Sequence, residues 1–514
     1  MTRIRRIFMN LIFITLFSLN VNAQQTKYWL FFTDKDLFTQ ALVSDKCKEN
    51  RRNLRLPESQ ISDLPVNKSY LSVLQSLDIH PIVKSKWLNA ISANLNANQI
   101  AEVKKLYFIK EITPIDSKVV LSKIDNKSED DLRVDFVMKQ IGIESFLQLG
   151  LNGKGVTIGV IDAGYFGAND TPTLKHLFDK NLVLGTKDYV NPKKVDYFGE
   201  RETASDFHGT EVLNAITGRN IKENYQLGLA TNANFYLART DSGNKEFRGE
   251  EDNWMAAMEW MDSLGVRLIN TSLGYAKGFS NPKESYLPEQ MDGKTSVIAR
   301  AAKIAVEEKG MIVVVSAGNE GDDNSWQIVS TPADVEGVIA VGATNELGMK
   351  MGYSSIGPEF LAYNKPNVSC YSLFGTSLAA PVITGFVACL LQANPRLSNK
   401  EIKKILEKSS SLYPFANNFI GYGVPNAQKA IDLTNNIEPK IITKTIEILE
   451  GKKQAEIALQ AGETVVVFNK KSPFQVISQE SLKPKYNFIS LKRNPHVKQT
   501  TVITQNEVIE VIWK

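Results

Sequence analysis

Val156-Thr157-Ile158-Gly159-Val160-Ile161-Asp162-Ala163-Gly164 is an almost unbroken apolar run that ends on a carboxylate. Apolar residues at successive positions fit a strand buried on both faces, as in a parallel sheet. Val156–Ile161 is thus the first of a set of expected strands, with Asn234–Leu237, Val266–Asn270, Met311–Val315 and Val338–Val341 reading the same way. Helical patterns lie between them. Glu250–Leu264 repeats Trp254, Ala257, Met258, Met261 and Leu264 on one face, opens on Glu250, Glu251 and Asp252, and meets its stop at Gly265. Lys294–Glu308 is a similar helix ending at Gly310. This alternation, from about Val134 to Leu433, predicts an α/β fold: a parallel sheet with helices on both faces.

The whole chain of 514 residues has room for roughly three domains. Its 43% apolar and 23% charged residues exclude a disordered, collagenous or polytopic membrane protein. A net charge of +4 is too small at this length to argue for a nucleic-acid partner, and three cysteines make no disulfide framework. The small net charge is a cancellation: residues 131–439 hold 29 basic and 36 acidic residues, whereas 24–130 and 440–514 are net basic. Arg3, Arg5 and Arg6, then the apolar run Ile7–Leu19, then Val21-Asn22-Ala23 before Gln24, predict a secretory signal peptide over 1–23. Export follows, extracellular or periplasmic, with no membrane contact after signal cleavage.

Residues 24–130 mix short helix-like and strand-like pieces and end in a charged stretch, Asp116–Asp135, that reads as an exposed linker. The α/β region takes 131–437. From 438 to 514 apolar and polar residues alternate (TIEI, AEIAL, TVVVF, EVIEVIW), the pattern of a small β module.

Three residues stand out chemically. Asp162 ends its strand where open α/β sheets bind ligands, although a helix cap or turn residue has the same look. His208, in Asp206-Phe207-His208-Gly209-Thr210, precedes the apolar helical face Val212, Leu213 and Ile216; a structural histidine is the plain alternative. Ser377, in Gly375-Thr376-Ser377-Leu378-Ala379-Ala380-Pro381, is followed by a proline tolerated only near a helix start. That puts the serine at or beside an N-terminus, where free N–H groups favour negative charge. Rival motifs fail on spacing. Gly293-Lys294-Thr295 has Pro288 where a phosphate-binding loop requires glycine, and the scattered histidines (80, 176, 208, 496) and cysteines (47, 370, 389) have no metal-ligand spacing. Cys389 reads as a core residue of an apolar helix.

Taken together, the order Asp, His, Ser and the strings around it resemble the subtilisin-like serine proteases, the subtilases of peptidase S8 type. The likeness spans about 300 residues and includes Ser272-Leu273-Gly274 and Ser316-Ala317-Gly318-Asn319. It implies Ser377 as nucleophile, His208 as general base, Asp162 as the residue that orients it, and Asn319 as an oxyanion donor. Ser272, Leu273 and Gly274 would form the edge where an extended peptide adds as a strand, and Ala317 and Gly318 the wall of the pocket for the side chain before the cut. Ala163 replaces the family's common Ser or Thr, and Leu378 its common Met; neither removes a reacting group.

The same resemblance implies no required cofactor. It leaves structural calcium open, with no ligand cluster to name and no metal ligand assigned. Ser69–Leu74, Asn96–Leu106 and Tyr107–Ile112 weakly resemble parts of a subtilase propeptide, which would inhibit and assist folding before self-cleavage between about Ile115 and Asp135. Protein or peptide substrates and the chain's own propeptide are the expected partners. Two rivals use the same residues: an inactive subtilase fold kept for binding, and an esterase.

Overall fold

The expected first strand forms over Thr157–Asp162, inside a seven-stranded parallel sheet. In spatial order the strands are Val368–Tyr371, Ile339–Thr344, Ile312–Ser316, Leu268–Thr271, Thr157–Asp162, Asn234–Arg239 and Val183–Asp188, every adjacent pair running parallel. The chain starts near the middle, fills one edge, and then crosses to fill the other. Its direction of growth reverses between the strands ending at Asp162 and Thr271, and the crevice at such a reversal is where open sheets place ligands. This computed structural model describes residues 26–41, 43–115, 131–220, 225–242, 249–277, 285–460, 462–484 and 486–514; the expected signal peptide lies outside them.

All five expected strands are present, with ends displaced by at most three residues. Val183–Asp188 and Val368–Tyr371 lie outside the expected set. The first is an edge strand with Gly185, Lys187 and Asp188 among its residues, and the second has only four residues, two of them Val368 and Cys370 on the core side. Side chains alternate across the central strands. Ile158, Val160, Ile312 and Val314 share one core with the helices His208–Thr217 and Thr376–Ala393, whereas Ile161, Val313 and Val315 share the other with Gly249–Ser263 and Val297–Glu307. The last helix begins later than Lys294 because Asp292 Oδ1 takes the Lys294 and Thr295 N–H groups at 2.8 and 2.7 Å, and Ser296 caps it instead. Thr376–Ala393 is long and apolar enough by composition to cross a membrane, yet it is buried in the molecule. Cys389 is among its core residues.

Residues 26–115 form a four-stranded antiparallel sheet, ordered Val83–Ser85, Ala90–Leu95, Thr26–Phe32 and Ile109–Ile115. Leu30 and Phe32 pack under its own helices, including Lys68–Ser76 and Ala97–Val103. Trp29 and Phe31 belong instead to the core shared with Gly249–Ser263 and Val297–Glu307. Tyr107 and Phe108 precede the strand rather than starting it, and Phe108 stacks on Tyr70 with centroids 4.2 Å apart.

Charged and polar groups join this domain to the helix Gly249–Ser263. Lys27 Nζ reaches Asp252 at 2.6 Å, Ser85 Oγ donates to Glu259 at 2.6 Å, and Arg51 reaches Asp262 at 3.1 Å. Pairs of the opposite sense cross as well, Lys309 with Asp63 at 2.8 Å and Arg300 with Glu111 at 2.9 Å. Ion pairs across this seam therefore run in both directions. The expected linker is shorter than its composition suggests: residues 116–130 lie outside the described set, and Asp131–Asp135 already belong to the helix Asp131–Gln140.

The tail is a β structure, as expected. Its four alternating segments are strands, joined by Val476–Leu482, Phe488–Lys492 and Gln499–Ile503. Val466, Phe468, Val476 and Val508 of this module share a core with Leu412 and Ile420 of the α/β region.

Candidate active site

Asp162 and His208 arrive from different elements. Asp162 is the last residue of its strand, and His208 is the first residue of the helix His208–Thr217, entered through a single 3-10 turn, Ala204–Phe207. They meet with Nδ1 and Oδ1 2.6 Å apart. A carboxylate can only accept, so Nδ1 carries the hydrogen and Nε2 is left as the base. Asp162 Oδ1 also accepts the Ala163 N–H at 2.8 Å. Its Oδ2 is buried without a hydrogen-bond partner; the family's usual hydroxyl residue is absent at Ala163.

Burial pushes the His208 imidazolium toward losing its proton. The Asp162 carboxylate, helped by Glu211 and Asp241, outweighs that, and the His208 pKa ends above its ordinary 6.5. Burial in turn raises Glu211, one helical turn beyond His208, and Asp241, whose carboxylate accepts from Thr240 and Tyr275 hydroxyls.

Ser377 is the second residue of the helix Thr376–Ala393, whose start Gly375 permits with φ of 124°. Pro381 lies inside this helix, four residues beyond Ser377. Having no N–H, it cannot bond the carbonyl four residues back, and Ser272 Oγ donates to Ser377 O instead, at 2.8 Å. Asn319 is fixed by the same turn: its Oδ1 accepts Thr376 N at 2.9 Å and Thr376 Oγ1 at 3.0 Å. With that oxygen engaged, Nδ2 faces the open side of Gly375. A side chain there would place its Cβ 3.2 Å from Ser377 Oγ and 3.4 Å from Asn319 Nδ2. The empty space between hydroxyl and amide is thus the space that glycine leaves.

Ser272, Leu273 and Gly274 follow the strand Leu268–Thr271, and Ala317 and Gly318 follow Ile312–Ser316. Ser330 and Thr331 join the two segments, Ser330 N donating to Ala317 O at 3.1 Å and Thr331 N to Tyr275 O at 3.0 Å. The Ser330 hydroxyl is buried without a partner beside Gly274 and Gly318. All the residues singled out in the sequence lie at the carboxyl ends of the sheet strands or at the start of a neighbouring helix. No hydrogen bond joins Ser377 Oγ to His208 among the described residues. Sequence reasoning missed Thr376, which orients Asn319, and Glu320, which accepts the Asn319 N–H at 2.9 Å; a carboxylate directly after the asparagine was the available signal. Among the described residues, no group of three or more His, Cys, Asp or Glu side chains has a metal-holding arrangement.

Comparison with known proteins agrees with this architecture. A profile of the subtilase family matches residues 153–423, more than half of the chain, and one of the peptidase S8 propeptide domain of Bacteroidota matches 27–130. Subtilisin NAT of Bacillus subtilis subsp. natto is 27% identical over 358 residues, covering 67% of this chain and 81% of that protein. Subtilisin DY of Bacillus licheniformis is 29% identical over 274 residues, covering 51% and 86%. Among solved structures, the fold is shared with fervidolysin from Fervidobacterium pennivorans, a keratinolytic enzyme related to subtilisin (18% identity, TM-score 0.52, 93% of this chain and 71% of that one). It is shared too with the epidermin leader peptide processing serine protease of Staphylococcus aureus (17%, 0.55, 80% and 99%). The chain belongs to the subtilase family. It is a subtilisin-like serine endopeptidase that carries a propeptide domain ahead of its catalytic region.

Proposed function

We propose that the chain is an exported endopeptidase that cuts peptide bonds through Ser377, His208 and Asp162 by way of an acyl-enzyme. The 2.6 Å contact of Asp162 with His208 Nδ1 carries this reading, because it leaves Nε2 unprotonated, as a general base must be. Ser377 Oγ attacks the substrate carbonyl carbon and gives its proton to His208 Nε2. The oxyanion that forms takes hydrogen bonds from Asn319 Nδ2 and from the Ser377 N–H at the helix start. Collapse breaks the C–N bond, the amine leaves with the proton from Nε2, and water, activated by the same nitrogen, releases the acyl group.

In this reading Ser272, Leu273 and Gly274 pair with an extended substrate, and Ala317 and Gly318 line the pocket for the side chain before the cut. The catalytic set spans 131–437, the propeptide 24–130 and the β module 438–514. Export depends on the signal peptide at 1–23. Self-cleavage falls between about Ile115 and Asp135, where the propeptide's last strand has ended and its sequence is charged.

A serine-directed fluorophosphonate should label Ser377 and abolish cleavage of unfolded casein. Absence of the adduct would instead indicate a binding protein, and turnover of simple esters without casein cleavage an esterase. Ser377→Ala should stay at precursor size, and normal trimming of that variant would assign the cut to another protease. A secreted protein starting at Gln24 would count against propeptide removal.

A further inference from the structure

Arg239 ends the strand beside Asp162 and is paired with it in register. It is 1% exposed, and its guanidinium is spread over four neighbours. Nε donates to Ala163 O at 3.0 Å, the carbonyl next to Asp162. Nη2 donates to Asp206 Oδ1 at 3.1 Å, and Nη1 to Asp188 Oδ2 at 3.1 Å and Glu202 Oε2 at 2.9 Å.

Asp206 organises the turn that delivers His208. Its Oδ2 accepts Glu202 N at 2.6 Å and Thr203 N at 3.2 Å, and its Oδ1 accepts Thr203 Oγ1 at 2.8 Å. Its carbonyl accepts Phe166 N at 2.7 Å, from the turn that follows Asp162. The two turns also touch directly, since a Cβ on Gly164 would lie 2.5 Å from Asp206 Cα.

We infer that Arg239 is a positioning residue for catalysis, holding the Asp162 turn and the His208 turn in mutual register through Ala163 O and Asp206. The inference rests on the reading of Asp162 and His208 as the catalytic pair. Those residues are 46 positions apart in sequence, and the hydrogen bond between them fixes one distance but not the direction of the ring. A planar guanidinium has its donors in one rigid fork, so contacts on two of its sides fix orientation as well as separation. Lysine offers the charge without the fork. A buried cation among carboxylates is poor evidence of stabilisation in general; here three of its four contacts, to Ala163, Glu202 and Asp206, fall on the two segments whose alignment sets the direction of proton transfer.

The test is steady-state kinetics on Arg239→Met, Arg239→Lys and Asp206→Asn, with concentrations set by fluorophosphonate titration so that unfolded protein is not counted. Arg239→Met should lose roughly 10- to 100-fold in kcat, the order expected when a catalytic group is displaced by a fraction of an ångström to about 1 Å, with KM within about twofold of the parent. Arg239→Lys should regain part of the loss. The Arg239→Met, Asp206→Asn double variant should fall no further than the worse single one, because both break the same link. An unchanged kcat per titrated site in Arg239→Met, with only a lower melting temperature, would make the cluster purely structural and overturn the inference, as would additive losses in the double variant. If Arg239→Met does not fold, Arg239→Lys and Asp206→Asn still decide, since unchanged kcat in both overturns it. A parent enzyme that takes no label would remove the catalytic reading itself.

Discussion

Ser272 Oγ donates its hydrogen to the main-chain carbonyl of Ser377, 2.8 Å away. Pro381 leaves that carbonyl without its helical partner, so the segment expected to hold substrate is tied to the residue expected to attack it. Ser272→Ala should leave a buried acceptor unpaired and destabilise the enzyme by about 1–3 kcal/mol. Per titrated site, cleavage should fall several-fold while labelling persists. Thermal unfolding and titrated kinetics check this, and unchanged values in both would make the bond incidental.

Gly375→Ala should be far more damaging to turnover than its size suggests. The residue sits at φ of 124°, and a methyl group would stand 3.2 Å from Ser377 Oγ and 3.4 Å from Asn319 Nδ2, in the space the oxyanion needs. A loss of about 10²-fold or more in kcat is expected, the scale of a lost oxyanion donor. Near-parental kinetics would place the oxyanion elsewhere.

The pH profile follows from the sign of the His208 shift. The base must be neutral to accept the Ser377 proton, and Asp162 holds its pKa above 6.5 in spite of burial. The acid limb of kcat/KM should therefore have its midpoint above 6.5, activity being lost as pH falls through it. Ala163→Ser would offer a hydroxyl to the unpartnered Asp162 Oδ2. Sharing that charge should weaken its hold on the imidazolium and move the limb down; a limb that moves up would contradict this account.

Asp262→Ala should weaken propeptide docking without altering the mature enzyme's catalysis. Asp262 receives Arg51, which also grips Asp63, the partner of Lys309, and every member of this set is buried. Removing one member of a buried network costs about 3–5 kcal/mol. Inhibition by the separate propeptide should thus weaken at least tenfold, measured as Ki against a peptide substrate. An unchanged Ki would mean that docking rests on Trp29 and Phe31 and on the pairs made by Lys27, Ser85, Lys309 and Arg300.

The strand ends, and the residues proposed to react, could be read from the sequence for a physical reason. Asp162 closes a buried apolar run, His208 stands before a glycine at the head of an apolar helical face, and Ser377 lies among small residues beside a helix start. Asn319 was legible from its place at the end of a buried apolar run. Arg239 was not, because an arginine ending a strand looks like any solvated edge residue until the turns at 163 and 202–206 close over it. Pro381 gave the position of the helix start but not its consequence, since which hydroxyl meets the freed carbonyl depends on a segment 105 residues away. The two unexpected strands failed for lack of pattern: one is a polar edge and the other only four residues long.

In the helix Gly249–Ser263, Asp252, Glu259 and Asp262 are each held by a group on the propeptide domain. On the proposed removal of the propeptide, water would replace those partners, and a returning propeptide would have to strip all three carboxylates at once. Activation would thereby acquire the character of a ratchet: the contacts that join the two parts are the ones whose hydration resists their return.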